Sequence, residues 1–132
     1  MTRANDGLDR IELTVPAHSS YVSVLRTVTA SLAATRDFTI EEIDDLRIAV
    51  DEASSLLLPH VEGNEALRAV FIAEPDALSA QVSIPVRGSQ TPELDPTSFA
   101  WMVLSALTDS VESEHLPDRL SVTLRKARGL RS

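Results

Sequence analysis

Glu52 is the carboxylate best placed for chemistry in this 132-residue chain, seven residues after Asp45 and four before Leu56. On a helix Asp45, Ile48, Glu52 and Leu56 stack roughly one turn apart, so Glu52 and position 56 look toward the same ligand. A carboxylate held in this way is a candidate general base toward a hydroxyl or a water, if a substrate is positioned beside it. A nucleotide-handling protein would place catalytic chemistry on such a stretch. Here the neighbouring position is an aliphatic leucine, which offers a hard cation no oxygen. Phosphates are commonly cradled by backbone N–H groups of glycine-rich turns. The chain has only Gly7, Gly63, Gly88 and Gly129, and none forms a G-x-G or P-loop pattern.

The segment that must hold these residues, TIEEIDDLRIAVDEASSLLL from Thr39 to Leu58, predicts an amphipathic helix. Ile43, Leu46, Val50, Ala53 and Leu57 recur at three- and four-residue steps, and Thr39 with Glu42 has the spacing of a capping box. Pro59 ends it. Two more helices are predicted. One runs from about Ser20 to Thr35, with Val22, Leu25, Val28 and Leu32 on its stripe. The other runs from Ser98 to Val111, with Phe99, Met102, Val103, Ala106 and Leu107 inward and Trp101 and Met102 read as core; Pro96 and Thr97 offer its start. Period-two alternation at Ile11 to Val15, Leu67 to Ile72, Leu78 to Val86 and Leu120 to Leu124 predicts half-buried strands. Strands of that kind have one covered face, which makes the fold α+β: a two-layer sandwich with a mainly antiparallel or mixed sheet and helices on one side.

Composition narrows the function classes. A net charge of −8 argues against binding nucleic acid directly through phosphate neutralisation and suits a basic protein partner. With no cysteine there are no disulfides, no thiol catalysis and no zinc–thiolate sites. His18, His60 and His115 lie too far apart to read as a metal motif, so no metal site is expected, and no G-x-S-x-G elbow supports a serine hydrolase. No run reaches the roughly 18 apolar residues of a membrane span, and MTRANDGLDR lacks the apolar core of a signal peptide, so a cytoplasmic protein without membrane contact is expected. One domain is expected over residues 10–127, between a flexible N-terminus at 1–9 and a basic tail at 128–132. The loop RGSQTPELDPT from Arg87 to Thr97 is read as an ordinary strand-to-helix connection, with Glu93 and Asp95 as its charged elements if it meets a partner.

LRIAVDEASSLLL resembles the first conserved helix motif of RsbW and SpoIIAB type anti-sigma factors, members of the GHKL ATPase and kinase superfamily, whose usual form reads roughly L-x-x-A-V-x-E-A-x-x-N. IELTVPAHSSYVSVLRTVTASLA and TSFAWMVLSALTDSVE resemble the first strand and helix of that family and the helix after its nucleotide lid. The resemblance runs from about Ile11 to Arg125 and implies a Bergerat-type fold. It gives Glu52 the place of the catalytic base and Arg26 that of a residue contacting the sigma factor, and it retains Asp109. Four positions depart from the pattern. Leu56 replaces the magnesium-binding Asn, Val86 the adenine-reading Asp, and Ser98 and Ala100 the two glycines, with Gly88 kept as a cofactor-binding residue. The nucleotide site is therefore read as degenerate.

Three functions follow from the resemblance. The first is an anti-sigma factor that sequesters an alternative sigma factor of the stress or sporulation type and is countered by an anti-anti-sigma protein of the STAS type. The second is an active RsbW-like serine kinase of that antagonist, using Mg-ATP if the site is compensated elsewhere. The third is an interaction module that kept only the scaffold. A homodimer through the region Ile11 to Leu32 is expected under all three, and the closest likeness is to degenerate actinobacterial forms, which agrees with Lys126 being the only lysine.

Overall fold

The structure, a computed structural model, describes residues 7–87 and 94–129. Five strands, β1 (Asp9–Pro16), β2 (Ala66–Ala73), β3 (Ala77–Pro85), β4 (Ser110–Leu116) and β5 (Arg119–Ala127), form one sheet in the order β1-β2-β3-β5-β4. Every neighbouring pair is antiparallel. The open choice between an antiparallel and a mixed sheet thus resolves to antiparallel. Helices α1 (Val22–Ala34), α2 (Ile40–Leu57) and α3 (Phe99–Leu107) complete the two-layer α+β sandwich.

Register sets the two faces of the sheet. Val15 lies opposite Leu67, Phe71 opposite both Ile11 and Ala80, Val82 opposite Val122, and Ala80 opposite Leu124. These residues point into the shared core, where Leu67, Phe71, Val82, Val122 and Leu124 are fully buried. The alternate residues make a polar outer face. Arg10, Glu12 and Arg68 form a cross-strand ion cluster there, and Arg119 donates to the Ser83 hydroxyl at 2.8 Å. The Arg68 and Arg10 guanidiniums hold the Glu12 carboxyl below its ordinary range.

α2 forms where its sequence predicts. The Thr39 hydroxyl accepts from the Glu42 N–H at 3.1 Å, and the Glu42 carboxylate accepts from the Thr39 N–H at 2.8 Å, which satisfies two end donors reciprocally. Leu46, Val50, Ala53 and Leu57 are buried, and Ile43 packs partly against the core. On α1 the buried set is Val22, Leu25, Thr29 and Ala33, with Val28 and Leu32 at its margin. Thr29 is tolerated there because its hydroxyl donates to the Leu25 carbonyl at 2.7 Å.

Two expectations about α3 are corrected. α3 stops at Leu107, and Ser110 begins the edge strand β4, so Val111 belongs to a strand. Leu104 is the only fully buried residue of α3, while Phe99 and Met102 are 76% and 61% exposed and Ala106 is exposed. Trp101 packs partly against the core as expected, and Met102 does not. β1 begins at Asp9, the last residue of the expected N-terminal segment 1–9. No helix of the described residues is long and apolar enough to cross a membrane.

Candidate functional site

α2 carries two working flanks because its apolar stripe faces the sheet. On the flank toward α3 and β5, Asp45 lies 3.7 Å from the Lys126 ammonium, which also donates to the Leu107 carbonyl at 3.1 Å. The only lysine of the chain thus closes the C-terminal end of α3 and ties it to α2. Sequence periodicity did not find this contact, since Lys126 sits at an inward position of β5 where an aliphatic residue is the usual choice. Two turns further along α2, Glu52 is half-buried and its carboxylate has no hydrogen-bond or ion-pair partner among the described residues.

Position 56 does not complete a site with it. Leu56 packs against the hydrophobic core, and Val86 and Leu94 are 4% and 8% exposed members of that core. Ser98 caps α3, its hydroxyl accepting from the Trp101 N–H at 3.2 Å, and Ala100 lies half-buried in the first turn. Gly88 and Glu93 lie outside the described residues. A magnesium nucleotide needs oxygen ligands and close backbone approach. At these positions the described residues supply aliphatic side chains and a hydroxyl already spent on a helix cap, so they do not fit that group. Asp109 is also engaged structurally: its carboxylate accepts from the Ala127 N–H at 2.6 Å, and its own N–H donates to the Arg125 carbonyl at 2.9 Å.

The turn into α3 is held by Asp95, whose carboxylate accepts from the Thr97 N–H at 2.8 Å and the Thr97 hydroxyl at 2.6 Å. Those bonds favour the ionised form and hold the Asp95 pKa below the ordinary carboxylate value. A depressed folded pKa contributes stability that is fully present above the unfolded value, about pH 4, and is lost as pH falls through the lower folded one. An NMR titration is expected to give Asp95 a midpoint below that of an unstructured aspartate. Thr97→Val, which keeps the N–H and removes the hydroxyl, should move the midpoint upward; an unchanged midpoint would mean that the hydroxyl bond does not form in solution.

The other flank faces α1. Arg26 donates to Asp51 at 2.6 Å, Arg47 donates to Asp44 at 3.3 Å, and a cavity of about 310 Å³ lies among Arg26, Asp44, Arg47, Ile48 and Asp51. Ile48 is 46% exposed. Ile48, which its spacing had placed with Asp45 and Glu52, also lines this groove. The expected partner-contacting residue, Arg26, sits half-exposed at this groove with its guanidinium oriented by Asp51. Asp51 carried no sequence signal, because its role depends on α1 crossing α2. His18 caps the short turn Ser19–Tyr21, and among the described residues no group of His, Asp or Glu could hold a metal ion.

Comparison with known proteins places this geometry. The chain is 30% identical over 109 residues to an anti-sigma-F factor RsbW of Mycobacterium tuberculosis, covering 83% of this chain and 64% of that protein. It is 38% identical over 86 residues to a serine-protein kinase RsbW of Bacillus pumilus, covering 60% of this chain and 52% of the relative. The chain thus spans less than two thirds of the length of either. No family model matches it. A crystal structure of RsbU and RsbW domains from Mycobacterium tuberculosis superposes with a TM-score of 0.66 at 15% identity, over 91% of this chain and 32% of that one. The sequence is RsbW-like, and the fold is shared with that structure of RsbU and RsbW domains.

Proposed function

We propose that this RsbW-like chain is an anti-sigma factor that sequesters an alternative sigma factor by protein contact and is countered by an anti-anti-sigma protein, without phosphorylating it. One observation carries the reading: the positions that would serve a nucleotide are spent on the fold, with Val86 in the core, Leu56 packed against it and Ser98 capping α3. The half-exposed Arg26 beside an open groove supports contact through the α1–α2 flank, and occlusion of surfaces the sigma factor needs elsewhere is the mechanism that asks no chemistry of the chain. Release then comes from competition by the antagonist.

The alternative, a serine kinase of the antagonist, is favoured by Glu52, a carboxylate without a partner on the flank where a base would stand. Calorimetric titration with ATP and magnesium separates the two readings. No heat up to millimolar nucleotide is expected; saturable, magnesium-dependent binding in the micromolar range would restore the kinase and refute the contact-only mechanism. Recovery of no sigma factor in a native pull-down would refute both and leave an interaction module.

We further propose a homodimer through the region Ile11 to Leu32. β1 is an edge strand of the sheet among the described residues, and Tyr21 and Val24 nearby are 43% and 38% exposed, which supports it. Light scattering on an eluting peak at micromolar concentration should give twice the mass of one chain, and a monomer would contradict the assignment.

A further inference from the structure

Among the described residues, the outer face of α3 combines two large exposed apolar side chains on an uncharged helix. Its nine residues, FAWMVLSAL, include no charge, yet only Leu104 is buried, and Phe99 and Met102 stand one turn apart with 76% and 61% of their surface in water. A helix apolar all round is ordinarily covered on every side, and an exposed Phe next to an exposed Met is the kind of patch that marks an interaction site. Ala106, one turn beyond Met102, continues the ridge.

The charged residues that flank α3 in the chain are acidic. Asp95 stands just before α3 and Asp109 just after it, while Glu112 and Glu114 of β4 belong to the opposite, outer face of the sheet with Arg125. Glu52 adds a carboxylate without a partner among the described residues on the adjoining flank of α2, and the cations at this end are engaged, Lys126 with Asp45 and the Leu107 carbonyl and Arg125 with Glu74.

From this combination we propose that the outer face of α3 is a docking surface for a cationic amphipathic helix of a partner protein, whose apolar ridge packs on Phe99, Met102 and Ala106 while its basic flank meets Glu52, Asp95 and Asp109. The sign of the charge excludes nucleic acid and anionic membranes as the occupant, because both would be repelled. An apolar ridge with acidic borders selects shape and charge together, as a helix held in a groove by apolar anchors does. This surface lies across α2 from the Arg26 groove, and the proposal stands whether or not the chain binds a sigma factor.

The probe is a synthetic peptide of about four helical turns with leucines at three- and four-residue steps and lysines elsewhere, compared with a scrambled peptide of the same composition. Titrated into the full chain in a calorimeter, with Trp101 fluorescence as a reporter from within α3, the patterned peptide is expected to bind saturably and at least tenfold tighter than the scrambled one. Phe99→Gln with Met102→Gln, both at exposed positions, should weaken the patterned peptide at least tenfold, leave the scrambled one unchanged and leave the circular dichroism spectrum intact. Glu52→Gln, Asp95→Asn and Asp109→Asn together should flatten the salt dependence. Equal affinity for the two peptides would reduce the effect to net charge and overturn the proposal, as would a double glutamine variant that binds like the parent. Self-association by light scattering that the double variant abolishes would overturn it too, by making a second copy the occupant.

Discussion

Leu104→Ala is expected to destabilise the protein by about 2–5 kcal/mol, the range for removing a fully buried leucine from a core that cannot collapse around the gap. The expectation falls at the upper part of that range because α3 has no second fully buried residue: Leu104 is 0% exposed and Trp101 only partly covered. Apart from the half-buried residues that pack on α2, the polar ties of α3 to the rest of the fold include the Ser98 cap and the Lys126 bond to Leu107, each worth about 1 kcal/mol. Denaturant unfolding followed by Trp101 fluorescence and by far-ultraviolet circular dichroism tests this. Trp101 is the only tryptophan, so its signal is local to α3. A Trp101 transition that precedes loss of circular dichroism in the variant would show α3 detaching first. Met102→Ala is the control, with a change within about 0.5 kcal/mol for an exposed side chain. If Met102→Ala cost as much as Leu104→Ala, the inward face that helical spacing alone assigned to α3 would be the right one.

The contrast between α2 and α3 explains what could be read in advance. In α2 polar and apolar residues alternate with a helical period, so Leu46, Val50, Ala53 and Leu57 named their own face, and the Thr39 and Glu42 pair named the start. In α3 every turn offers an apolar residue on every side, and periodicity has nothing to choose between. Its facing is decided by tertiary contacts, the Leu104 anchor and the Lys126 closure, which spacing does not encode. β4 escaped for a related reason. SVESEHL is an edge strand with little to bury, so it shows no alternation strong enough to separate it from the helix before it.

The candidate site divides along the same line. Loss of a magnesium ligand at Leu56 and of glycine at Ser98 and Ala100 is legible from side-chain chemistry alone. What replaced those functions is not, because the cap at Ser98 and the burial of Val86 exist only once α3 and β3 are in place. The Arg26 groove is likewise invisible in a linear reading, since its second wall comes from residues 44–51. Under the anti-sigma reading that groove is where affinity should concentrate, because an arginine held in orientation before binding loses less freedom on contact than a free one.

Arg26→Ala should therefore weaken sigma-factor binding by about 2 kcal/mol or more, roughly thirtyfold, the scale of an interface arginine that acts as an anchor. Folding stability should change by less than about 1 kcal/mol, because the Arg26–Asp51 pair is substantially solvent-exposed and such pairs contribute little to stability. Arg26→Lys should recover only part of the affinity, since an ammonium keeps the charge and loses the planar fork. Asp51→Asn separates orientation from contact: the guanidinium stays, its anionic tether goes, and an intermediate loss is expected. Calorimetric titration of the sigma factor into each variant, with denaturant unfolding of the same preparations, measures both quantities together. A large drop in stability for Arg26→Ala would recast the pair as a structural clamp between α1 and α2. Unchanged affinity in a chain that still binds the sigma factor would move the contact surface away from the α1–α2 groove while leaving the anti-sigma reading in place.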